Sequence, residues 1–167
     1  MKAQTLRFDR VLTEVRSLEM IEDEGLHRFA AYCEMIRDPG CLPLKSRFYP
    51  EDVPDRLGQL NLVEVLYEPF DYILRIAGHR LPIFAEQGLR GKSVDQITPH
   101  AYALVLKKQF DEAREACAPS LRQITLTRGR RRMSYDHLVQ PLSINGDKVD
   151  YLVTTTSKLV IDDVFFH

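Results

Sequence analysis

Prolines and glycines punctuate the segment from Cys41 to Gly91, and that punctuation limits what the chain can fold into. Pro50 suits the first position of a short helix, where its missing N–H costs nothing, so a short helix through Leu60 is expected. Leu62, Val63 and Val65 then read as a strand, Glu68-Pro69 as a turn and residues 71–77 as a second strand, which makes a hairpin. Gly78 ends it. Residues 79–86 have room only for a short helical piece, with Pro82 tolerable in its first turn, closed by Leu89-Arg90-Gly91.

The flanking segments extend the pattern. Leu26, Phe29, Ala30, Cys33 and Ile36 form one apolar stripe, predicting a helix over residues 22–37 that Asp38-Pro39-Gly40 stops. Ahead of it, Leu6 and Phe8 alternate as in a strand, whereas Val11, Leu12, Val15 and Leu18 suit a helix. The reading is an N-terminal extension, residues 1–21, helical from Asp9. The longest helix starts at Thr98-Pro99, a suitable cap and first residue. It buries Tyr102, Val105, Leu106, Phe110, Ala113 and Cys117, and Ala118-Pro119 ends it. Three strands close the chain: 121–126, 135–142 after the turn at Arg128-Gly129-Arg130, and 149–156 after Asn145-Gly146-Asp147. The apolar tail, residues 161–167, is expected to dock on the domain or on a partner.

Composition narrows the function classes. The 167 residues carry 23 Lys+Arg against 24 Asp+Glu, a net charge of −1, which supplies no general attraction to nucleic acid or anionic membrane. Charges interrupt the first twenty residues, and no run approaches the length of a membrane helix, so a cytoplasmic protein is expected. Cys33, Cys41 and Cys117 lack metal-finger spacing and read as buried reduced thiols. No nucleophile elbow, Walker loop or dinucleotide fingerprint is present, and Asp136 and His137 are strand neighbours pointing to opposite faces. The expectation is a protein without enzymatic activity and without a metal site.

The elements in order are helix, short helix, two strands, short helices, long helix and three strands. The segment from Phe29 to Leu159 resembles a bacterial PAS subfamily of small, mostly stand-alone proteins common in alphaproteobacteria. Its "L-x-x-Y-W-x-x-L-R" helix is matched by residues 29–37, from Phe29 through Tyr32 to Ile36-Arg37. "L-P-x-x-x-x-F-x-P-x-D-I-P" is matched by Leu42-Pro43 and by Pro50-Glu51-Asp52-Val53-Pro54. "L-P-L-S-x-x-G-x-V-D" is matched by Gln140-Pro141-Leu142-Ser143, Gly146 and Val149-Asp150. Looser matches lie at Leu74-Arg75-Ile76-Ala77-Gly78-His79 and at Ile83-Phe84-Ala85 with Leu89-Arg90-Gly91. Tyr49 departs from a usual Asp and His79 from a usual Thr.

The resemblance implies an α+β PAS fold: a five-stranded antiparallel sheet with helices on one face, residues 22–160, after the helical extension. It also implies a sensory or regulatory role, with a small molecule held between the long helix and the sheet, its occupancy relayed to a regulatory protein partner. The ligand is not identified. Candidate cavity positions are His79, Phe84, Tyr102, Phe110, Arg75, His137 and Gln140. Arg75 faces the cavity as an anion anchor, or lies on the outer face paired with Asp71 or Glu64. Val11, Leu12, Val15 and Leu18 either pack on the sheet or form a homodimer face. The Arg128 to Arg132 run reads as a solvated hairpin or an anionic docking point. The alternatives to a ligand sensor are an interaction module with a filled core and a small α+β enzyme.

Overall fold

The computed structural model describes residues 8–78 and 87–163. Among them, seven strands form one antiparallel sheet: β1 (Arg10–Arg16), β2 (Asn61–Tyr67), β3 (Phe70–Ile76), β4 (Ser120–Arg128), β5 (Arg131–Leu142), β6 (Tyr151–Thr156) and β7 (Val160–Asp163). Their order is β1-β4-β5-β6-β2-β3, and β7 pairs with the start of β5. Two helices, α1 (Glu24–Met35) and α2 (His100–Ala116), pack on this sheet.

Local chemistry accounts for the elements. Asp23 caps α1 by accepting from the Leu26 N–H at 2.9 Å, and its other oxygen accepts from Lys158 N–H. The two proline-led segments expected as one short helix are separate 3-10 turns, Pro50–Asp52 and Pro54–Arg56. Gly146, at φ 91°, lets β5 turn toward β6, its N–H donating to Ser143 Oγ at 2.8 Å.

The period of two along each strand divides the core. Val63, Val65, Tyr72, Leu74, Ile124, Leu126, Tyr135, Val139 and Leu152 point to one face, where α2 supplies Tyr102, Leu106, Phe110 and Ala113. Leu121, Leu138, Leu142 and Val153 point to the other, where α1 supplies Leu26, Phe29, Tyr32 and Cys33. The helices therefore cover both faces, and the expected one-sided arrangement is corrected. A strand whose successive residues are both apolar, as at Leu152-Val153, needs a cover on each side.

Two further expectations change. The N-terminal segment is a strand from Arg10, not a helix: β4 offers it a free edge, and Val11 opposite Leu126 gains a place in the α2-side core. Helical spacing in Val11, Leu12, Val15 and Leu18 lost to backbone hydrogen bonds from a neighbour distant in sequence. Among the described residues the sheet thus has seven strands, the five expected plus β1 and β7. β7 overlaps the expected tail and stands opposite the second half of the arginine run, Arg132 against Asp162.

Candidate functional site

The interior between α2 and the sheet holds buried polar groups, Gln109 and His137 among them. α2 begins after Pro99 and buries Tyr102, Ala103, Leu106, Gln109, Phe110 and Ala113. Gln109 lies on the same stripe as the apolar residues, three after Leu106 and four before Ala113. It is completely buried. Its amide Nε2 donates to the His137 carbonyl at 2.8 Å and the Ser120 carbonyl at 3.1 Å, joining α2 to β5 and β4. That leaves Gln109 Oε1 as the acceptor, 2.7 Å from His137 Nδ1, so the Nδ1 nitrogen carries the proton. Burial pushes the His137 pKa down to about 4, which keeps the ring neutral at pH 7.

Two more links tie α2 down. The Tyr102 and Tyr135 hydroxyls hydrogen-bond to each other in the core, and burial raises both pKa values. Tyr72 OH on β3 donates to Asp111 Oδ1 at 2.5 Å and accepts from Arg114 Nε at 3.1 Å, while the Tyr72 and Phe110 rings meet edge-to-face at 5.3 Å. The Arg114 guanidinium sits 4.8 Å over Phe70. At the far side, buried Arg122 on β4 grips the Glu112 carboxylate and donates to Thr13 Oγ1, 3.2 Å away on β1.

These groups are donors and acceptors to one another. A neutral His137 whose Nδ1–H is engaged, beside two tyrosines held protonated, offers a hydrogen-bonding surface and no base poised near neutral pH.

Of the five candidate positions among the described residues, the structure brings together three. Tyr102, Phe110 and His137 share the α2-side core and are all fully packed. Gln140 is corrected to the opposite face, and Arg75 takes its second alternative, the outer face, because His137 and Val139, and Tyr72 and Leu74, point toward α2 on their strands. Arg75 is half-exposed and its Nε donates to Glu64 Oε2 at 2.6 Å. Gln140 lines a cleft of about 430 Å³ at the ends of α1 and α2. His79 and Phe84 lie outside the described residues.

Sequence reasoning missed Gln109, although its place on the α2 stripe was the available signal. The cysteines are also corrected in part. Cys33 is buried, whereas Cys41 and Cys117 are exposed. Among the described residues, no group of three or more His, Cys, Asp or Glu is arranged to hold a metal ion, and no helix is long and apolar enough to cross a membrane.

No family model matches the chain, and no curated protein matches it. Among solved structures, it is similar to a sensory box sensor histidine kinase from Vibrio cholerae, at 18% identity and a TM-score of 0.41, over 72% of this chain and 94% of that one.

Proposed function

We propose that this protein is a regulatory sensor module of the PAS type, which takes up a small molecule and passes its occupancy to a partner protein in the cytoplasm. The observation that carries this reading is the topology. Strands β2 to β6 lie side by side in the order β3-β2-β6-β5-β4, and the long helix enters between the second and third of them to cover one face. That arrangement agrees with the motifs at residues 29–37, 42–54 and 140–150. The ligand would sit where α2 meets the sheet, against Tyr102, Phe110 and His137. The same reading gives the chain no catalytic step. It assigns homodimer contacts to the exposed Leu12, Val15 and Leu18.

One observation favours a second reading, an interaction module with a filled core. Tyr102 bonds Tyr135, His137 bonds Gln109, and Phe110 meets Tyr72 edge-to-face, so the candidate side chains already satisfy one another.

Native mass spectrometry of the purified protein, compared with its denatured mass, separates the two. Excess mass that disappears on denaturation, and that Phe110→Ala no longer retains, supports the sensor. A bare chain at the calculated mass supports the filled module.

A further inference from the structure

Three cysteines far apart in the chain converge on one cleft. Cys33 from α1, Cys41 from the loop that follows it and Cys117 from the end of α2 all line the opening of about 430 Å³ that also holds Gln140. The three are not equivalent. Cys33 is 1% exposed, and burial pushes its thiol up to about 12, so it stays protonated as part of the floor. Cys41 and Cys117 are exposed. Arg37 lines the cleft too, paired with Glu34, and its guanidinium interacts electrostatically with Cys41.

Cys117 occupies an unusual backbone position. It caps α2 with φ 49° and ψ 42°, and is the one residue other than glycine with positive φ among those described. Glycine commonly takes this place at a helix end, and any side chain here costs backbone strain. The chain nevertheless holds a thiol there, which donates to the Arg114 carbonyl at 3.5 Å, and Cys117 lines the same cleft as Cys41.

We infer that Cys41 and Cys117 are a redox pair, converted to a disulfide by a hydroperoxide that enters the cleft. The Cys41 thiolate attacks the outer peroxide oxygen; an S–O bond forms, the O–O bond breaks, and the leaving oxygen departs as alcohol or water after taking a proton. Cys117 sulfur then attacks the sulfenic sulfur, forming S–S and breaking S–O, and the hydroxyl leaves as water with the Cys117 proton. Two thiols are oxidised and one hydroperoxide is reduced, and a thiol reductant reverses the change. α1 and α2 cover opposite faces of the sheet, so this bond would tie the end of one helix to the loop leaving the other. The inference does not depend on a ligand beneath α2.

The test is hydrogen peroxide titration of the reduced full chain, followed by denaturation, alkylation and intact mass. The expected product has lost two hydrogens, accepts one alkyl group instead of three, and yields a Cys41–Cys117 linked peptide. Cys41→Ser and Cys117→Gly should each abolish that product and collect oxygen at the remaining thiol, whereas Cys33→Ala should keep it. Glycine suits the left-handed backbone at 117, so that variant stays folded, as its thermal melt will verify. Three alkylatable thiols after peroxide, oxygen added at Cys41 and Cys117 without a link, or a link only between two chains would each overturn the inference.

Discussion

The two faces of the sheet are covered by different chemistry. Under α2, a buried glutamine, a histidine, two tyrosines and the Tyr72–Asp111–Arg114 set exchange hydrogen bonds across strands. Under α1, the contact is a cluster of leucines, Phe29, Cys33 and Val153, with polar anchoring moved to the edge, where Tyr32 OH accepts from the Tyr49 N–H at 3.0 Å. Apolar contacts tolerate small shifts, because burial depends on area and not direction. Hydrogen-bonded groups in a dry core hold one geometry, since a displaced donor or acceptor costs about 1–3 kcal/mol. α2 is therefore fixed in register, while α1 is held mainly by shape.

The largest test of that contrast is truncation on each face. Phe110→Ala and Phe29→Ala should each lower unfolding free energy by about 3–5 kcal/mol, measured by urea denaturation. A cost below about 1 kcal/mol at Phe29 would mean that α1 is only loosely attached and would break the comparison.

Acid sharpens it further, because neighbouring residues respond with opposite sign. His137 binds a proton less readily folded than unfolded, so between pH 6.5 and about 4 the unfolded chain holds more protons. Stability contributed by the neutral ring is complete above pH 6.5 and falls with pH, by on the order of 3 kcal/mol at pH 4. Asp136 points to the other face, and burial raises its pKa, so its protonation favours the folded state as pH falls. Because His137 is the more buried of the two, the α2 face should dominate, giving net acid destabilisation. NMR detection of His137 titrating near pH 6.5 in the folded protein would remove the basis of this expectation.

A smaller effect is expected at the start of α1. A Cβ on Gly25 would clash with Arg56 Nη2, and Arg56 Nη1 donates to the Thr156 carbonyl at 2.8 Å. Gly25→Ala should cost about 1–3 kcal/mol by displacing that guanidinium. Adding Arg56→Ala should cost less than the two single changes summed, the signature of a shared contact. Strict additivity would show that the helix end accommodates the methyl elsewhere. The smallest effect belongs to Arg75→Ala: an exposed pair with Glu64 contributes under about 1 kcal/mol.

The sequence by itself determined what lies within a few residues' reach. Apolar spacing located α1 and α2, glycines and prolines marked the turns around Gly129 and Gly146, and alternation located β2 to β6. Only the tertiary structure decided which way those strands face. A shift of one residue exchanges the two sides, which is why Gln140 was expected beside His137 and lies across the sheet from it, and why Arg75 was left between the cavity and the outer face. It also decided that residues 10–16 extend along β4, because the competing helix needed no neighbour and the strand gained one. The meeting of Cys33, Cys41 and Cys117 in one cleft was equally out of reach. Local propensity acts over a turn or a strand, whereas these outcomes depend on pairing between segments the chain brings together only when it folds.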